Sequence, residues 1–287
     1  MVLDSCVPAI DVWSYIGIAS TLAVAIISVL YMLGRILSKS ELEGLAKNEL
    51  TQLFIALVIA ISIVGLASIS CQITKSVISD TFGDGNQFTV SMKYLSILIY
   101  KKGLPTIQQL WTSGFILEVL SSSELTLAKT KIKGSILAPF SKIVNAFVFI
   151  APIFLASLNA QLFLIQLSEA FAITLILPLG MILRTIPSLR KGGSFLMALA
   201  FGLYFVFPMT YVMDYLIYKE VDPTFQGYSP DINLFQTFEF STNIINVLGY
   251  FNDLAVIIPQ ATVLVLINFT ITMSFISIFG EFLDSIQ

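Results

Sequence analysis

The 287-residue chain contains no histidine. The commonest metal ligand and the usual proton shuttle at neutral pH are therefore missing. No Gly-Lys dipeptide occurs, so a GxxxxGK[ST] phosphate loop cannot be built. HExxH and CxxC are absent, and without histidine there is no Ser-His-Asp triad. The sequence therefore reads as non-enzymatic, with no metal and no cofactor expected. What remains is polarity set in apolar surroundings. Glu169 follows Asn159, Gln161 and Gln166, and Glu118 follows Gln108 and Gln109. Ionisable residues at membrane depth are candidates for a pathway or relay, so Gln108, Gln109, Glu118 and Glu169 are the candidate pathway residues. Each has a plainer reading. Glu169 could sit wet near the outer interface, as could Asp214, and the glutamines could simply bond neighbouring helices. A third group, Arg184, Arg190 and Lys191, forms a basic turn. It could touch lipid phosphate or nucleic-acid phosphate, or serve only to orient the chain.

The elements that must position these groups are membrane helices. The chain is 56% hydrophobic and 11% charged, with a mean hydropathy of +0.90. Soluble domains carry roughly 25% charged residues. The expected fold is all-α, a polytopic transmembrane helical protein of the cell membrane. The apolar runs are too long, and apolar on too many sides, for a barrel. No basic n-region precedes the first run, and Asp4 and Asp11 stand before it, so it reads as a retained span rather than a signal peptide.

Seven spans are expected in one transmembrane domain, 1–287: about 12–37, 50–71, 103–125, 143–158, 161–183, 194–217 and 254–279. An outer interfacial helix over about 88–100 precedes the third, because Lys101 and Lys102 would not face lipid at mid-membrane. The long apolar region 143–183 divides most naturally at Ser157–Gln161. The positive-inside rule places the N-terminus outside and the C-terminus inside. Connector 38–48, linker 121–142 (Lys129, Lys131, Lys133, Lys142) and turn 184–193 are then cytoplasmic. The acidic stretch from Tyr218 to Asp253 is outside, with Tyr211, Tyr215, Tyr218 and Phe225 as an aromatic belt. Ser194, Ala198 and Gly202 recur every four residues as a small-residue stripe for helix packing. Cys6 and Cys71 both fall at outer mouths of spans. A disulfide and two unpaired small apolar residues are equally open readings.

The stretch LPLGMILRTIPSLRKGGSFLMALAFGLYFVFPMTYVMDYLIY, Leu177–Tyr218, carries a resemblance. Arg184, Pro187, Arg190 and Lys191, Gly192-Gly193 and then GLYFVFPMTYV resemble the core of the CedA-like family. That family comprises polytopic membrane proteins of the crenarchaeal DNA-import (Ced) system. It is similar to the polytopic inner-membrane subunit of bacterial type IV secretion and conjugation machines. The resemblance implies a channel or scaffold for single-stranded DNA, working as an oligomer in membrane lipid. It also implies small two-span membrane subunits and a separate cytoplasmic HerA/FtsK-like ATPase as partners. In a hyperthermophilic archaeon, a Cys6–Cys71 disulfide would gain plausibility. From the residues alone, two other readings stand beside it: a secondary transporter for a small solute, and a non-conducting scaffold. A transporter would need an internal repeat and broken helices meeting at mid-membrane, and no repeat is evident.

Overall fold

The structure is a computed structural model that describes residues 10–82, 86–122, 124–127, 130–133, 138–221 and 253–285. The first helices are α1 (Ile10–Ile36), α2 (Ser40–Phe82), α3 (Gln87–Ser96) and α4 (Leu104–Ser122). A two-stranded antiparallel hairpin follows, β1 (Glu124–Leu127) and β2 (Thr130–Lys133), pairing Glu124 with Lys133. Then come α5 (Ala138–Phe171), α6 (Leu177–Arg184), α7 (Arg190–Phe201) and α8 (Phe207–Val221). Residues 253–259 form α9, and α10 is Val265–Ser285. The molecule is thus all-α apart from the hairpin in the lysine-bearing linker.

Among the described residues, five helical runs are long and apolar enough to cross a membrane: Val12–Ile36, Ser40–Ser76, Ala138–Arg184, Pro187–Glu220 and Asp253–Ser285. The expected division differs from these in three places. The charged connector 38–48 is the first part of α2 itself. The turn before it is cut to a few residues, with Ser38 in the left-handed region (φ 53°) and Gly34 close against Leu42. Next, α3 and α4 join into one helical run, Gln87–Ser122, with no break at Lys101–Gly103, and this run is not among the five. Leu125, expected in that span, lies in β1. Last, α5 continues straight through Ser157–Gln161, where a break was expected. The polar residues there are accommodated without a turn. Asn159 Nδ2 donates to Leu155 O at 2.9 Å, and Gln161 Nε2 reaches Ser157 Oγ at 3.4 Å.

Three wide, π-type turns recur at prolines. They cover Ile97–Gly103, Ala172–Ile176 and Gly202–Val206. The next N–H, of Leu104, Leu177 or Phe207, donates five residues back, to Ile99, Ala172 and Gly202 respectively. Pro105, Pro178 and Pro208 come immediately after. A proline inside a helix has no N–H for the carbonyl four residues back, and its ring crowds that carbonyl. Widening the preceding turn by one residue relieves the crowding while keeping the axis helical. For Pro208 the carbonyl concerned is that of Tyr204, and Gln87 Nε2 donates to it at 3.2 Å. Ser70 Oγ in turn donates to Gln87 Oε1 at 2.9 Å, and Ser91 Oγ donates to Pro208 O at 2.8 Å. A fourth π turn, Gln260–Leu264, follows Pro259.

The chain divides into two compact units, Met1–Met92 with Leu164–Tyr215 and Ile267–Gln287, and Lys93–Phe163 with Leu216–Leu266. In the first unit the core joins Ile16 of α1, Ala56 and Ala60 of α2, Met181 of α6, Met197 of α7 and Ile276 of α10. Helices α6 and α7 form a hairpin around glycines. A methyl group on Gly180 would sit 2.9 Å from the Met197 side chain, and one on Gly193 would run into the Arg184 backbone. Ser194, Ala198 and Gly202 are all buried, and α10 lies against them: Ala198 faces Gly280, and Gly202 leaves room for Ile276. In the second unit Leu110, Val144, Ala151 and Leu254 form a smaller core. Gly103 there admits the side chain of Leu155.

The glycine contacts give a paired test. Gly193→Ala forces backbone apart and should cost about 2 kcal/mol or more, lowering the apparent melting temperature in detergent by several degrees. Gly192→Ala meets nothing within 4 Å and should leave it unchanged. Equal melting for the two variants would show that the α6–α7 contact is not as tight as described.

Candidate functional site

Polar groups inside apolar helices need partners, because neither lipid nor a hydrocarbon core supplies them. Two buried polar clusters meet this need, one in each unit.

The cluster of the first unit lies at the α6–α7 turn. Arg184, the last residue of α6, is wholly buried, and its Nη2 donates to Leu283 O at 3.1 Å. Arg190, at the start of α7, is ion-paired with Glu49 of α2, which is itself 1% exposed. Gln52 lies one turn after Glu49, and Ser194 one turn after Arg190, and both are buried. Several atoms of this cluster have no hydrogen-bond partner among the described residues: Arg184 Nε and Nη1, Arg190 Nε, Glu49 Oε2, Gln52 Oε1 and Ser194 Oγ. The basic turn expected to face phosphate is therefore turned mostly inward. Lys191 is the one member of the trio that is fully on the surface. The bonds from Arg184 and Arg190 draw together α2, the α6–α7 turn and the end of α10. Beside the turn, Lys191, Phe195, Ile276, Gly280, Glu281 and Asp284 line a groove of about 270 Å³.

The cluster of the second unit centres on Lys102, 3% exposed. Its Nζ donates to Tyr218 Oη at 2.8 Å, lies 3.8 Å from Asp253 Oδ1, and sits 5.4 Å from the Tyr218 ring centre. The Tyr218 ring packs on Tyr94 at 6.0 Å, and Tyr94 Oη donates to Gln260 Oε1 at 2.9 Å. Gln161 Nε2 donates to Gln260 O at 3.4 Å, and Ser157 Oγ to Ala261 O at 2.7 Å. Two π turns thus take part, one carrying Lys102 and one offering backbone carbonyls to α5. The sequence reading kept both adjacent lysines at the interface. In the structure Lys101 is exposed while Lys102 points inward, as neighbouring helical positions must diverge. An apolar helix with one lysine and a lone aspartate at a distant helix start was the available signal. Pairing them required the tertiary structure.

The other candidates are dispersed. Gln108, Glu118 and Glu169 are exposed and Gln109 is half-buried. The expected pathway residues therefore do not meet within either unit. Asp214 is buried, and accepts a hydrogen bond from Asn268 Nδ2 at 2.7 Å. Tyr211, Tyr215 and Tyr218 are buried as well, so they are packing residues here and not a belt; Phe225 lies outside the described residues. Cys71 is held in a disulfide, and Cys6 lies outside the described residues. No group of three or more metal-ligating side chains occurs among the described residues.

Comparison with family models, curated proteins and solved structures finds no match.

The Arg190–Glu49 pair predicts an asymmetry. Arg190→Met leaves a buried carboxylate without its cation and should destabilise by about 3–5 kcal/mol, whereas Arg190→Met with Glu49→Met should recover much of the loss. Thermal unfolding of the two variants in the same detergent measures it. A double variant no more stable than the single one would refute the pairing.

Proposed function

We propose that the chain is a non-enzymatic, multi-pass membrane subunit of a DNA-translocation machine, acting as channel wall or scaffold among partner subunits. The resemblance over Leu177–Tyr218 suggests the machine. The supporting structural observation is the length of apolar surface on the α5–α6 run. Large hydrophobics are exposed from Phe140, through Phe149, Ile153, Phe163 and Leu175, to Leu179. At 1.5 Å per residue this is about 60 Å of helix. The hydrocarbon layer is only about 30 Å thick. One crossing covers roughly half of that surface, and the remainder calls for protein neighbours. Small two-span subunits or further copies of this chain fit that requirement. Single-stranded DNA needs a wide, wet, cationic path. The buried cations here are committed to Glu49, Leu283 O, Tyr218 and Asp253. The path would therefore form between subunits, with a separate HerA/FtsK-like ATPase driving it.

A second reading, a secondary transporter for a small solute, draws on Lys102. A buried lysine facing a half-buried aspartate beside two π turns is the kind of site that such proteins use. In this chain Lys102 is already engaged by Tyr218 and Asp253, and the first reading is preferred.

Five crossings keep the expected orientation. The N-terminus and the stretch 222–252 remain outside; the turn 184–193 and the C-terminus remain inside. Only linker 121–142 changes side and becomes external.

Two measurements test these statements. Extracted from its native membrane in mild detergent, the protein should appear as an oligomer or with small membrane subunits, and should crosslink to photoactivatable single-stranded DNA. A lone monomer that transports a small solute in liposomes would sink the DNA reading. For orientation, Lys133→Cys should react with an impermeant maleimide from outside sealed cells, and Lys191→Cys only after permeabilisation. Protection of residue 133 would restore the seven-span arrangement.

A further inference from the structure

We propose that Lys102 is a tie that fixes both ends of the segment 222–252 to the body of its unit. Tyr218 lies in the last turn of α8, three residues before that helix ends at Val221. Asp253 opens α9. The residues between them, 222–252, are outside the described ones. One side chain from a third element, the π turn Ile97–Gly103, holds both flanks. It donates to the Tyr218 hydroxyl at 2.8 Å and faces the Asp253 carboxylate at 3.8 Å. The lysine is 3% exposed, and the Asp253 side chain is 15% exposed at the solvent edge.

The physics makes this contact a strong choice for a tie. A buried ammonium that loses its partners stays unpaired in apolar surroundings, which is far costlier than losing a surface pair. Parting of the two flanks would take from Lys102 both the hydroxyl and the carboxylate, so the lysine resists it. The π turn is what aims it. The widened turn before Pro105 brings Lys102 inward while Lys101 stays exposed. Tyr218 adds its ring, 5.4 Å from Nζ, so the cation is held by a hydroxyl, a carboxylate and an aromatic face together. The chain thus leaves α8 and enters α9 at one fixed place on the unit. This does not depend on what the protein transports.

Chymotrypsin reads the tie directly, because 222–252 holds several Phe and Tyr residues and no Lys or Arg. Lys102→Met should make cleavage within 222–252 at least threefold faster in the purified full chain. Lys101→Met, its exposed neighbour, should leave the rate unchanged. Hydrogen exchange should rise in Lys102→Met at 216–221 and 253–257, and stay as in the parent over α1 and α2. If Lys102→Met does not fold, Tyr218→Phe removes the hydroxyl and Asp253→Asn the opposing charge, each leaving Lys102 its other partner. Each should then give a smaller increase at the same two flanks. Cleavage equal to that of Lys101→Met, or an exchange increase spread evenly over the whole chain, would overturn the proposal.

Discussion

A helix in an apolar environment must satisfy every backbone carbonyl from within the protein, and proline withholds a donor. Much of this structure follows from that constraint. Pro105, Pro178 and Pro208 each sit inside a long apolar run, and each is preceded by a turn opened by one residue. The opened turn spares the helix a break, but it leaves backbone that neighbours must serve. Gln87 does so for Tyr204, bringing α3 against the turn Gly202–Val206, and Ser91 reaches Pro208 O. At the fourth π turn, Gln161 and Ser157 supply the carbonyls of Gln260 and Ala261. The polar residues employed in this way are Gln87, Ser91, Ser157 and Gln161, and not the expected pathway residues Gln108 and Gln109.

Charge obeys the same logic at higher stakes. Arg184 lies where α6 ends and α7 returns, on a hairpin where Gly180 and Gly193 admit no side chain. Burying it lets one guanidinium serve the free carbonyl of Leu283 in the last turn of α10. Cations near a helix C-terminus are favoured by its unsatisfied carbonyls. Arg190 cannot share that role, and takes Glu49 of α2 instead. The result is that a turn of three cations shows one of them, Lys191, fully to its surroundings.

The membrane character and the all-α class were legible from composition and run length alone. The small-residue positions Ser194, Ala198 and Gly202 were legible too as residues of the kind that α10 packs against. The breaks were not. Asn159 and Gln161 look like a loop because amides are costly in lipid, yet a helix can absorb them through its own carbonyls and a neighbour's. Lys101-Lys102 looked interfacial because both were treated alike. Adjacent residues on a helix point about 100° apart, and one of them found Asp253 across a gap of 151 positions in the sequence. Burial of Asp214 against Asn268 was hidden for the same reason, since a partner 54 residues away cannot be read from local pattern.

These placements bear on how such a chain would act in a membrane. A carrier that rocks between states benefits from polar groups left free to bind and release a solute near mid-membrane. Here Lys102, Arg184 and Arg190 are tied to carboxylates, a hydroxyl or backbone, while the hydrophobics, from Phe140 to Leu179 on one run and from Phe54 to Ile73 on another, are turned outward. An interior whose buried charges hold its own helices is consistent with the proposed role as one part of an assembly. The exposed polar residues Gln108, Glu118 and Glu169 then acquire a different sense. Of the three only Glu169 lies in a run long enough to cross a membrane; in the proposed assembly each would pair with a neighbour's polar groups or border an aqueous gap.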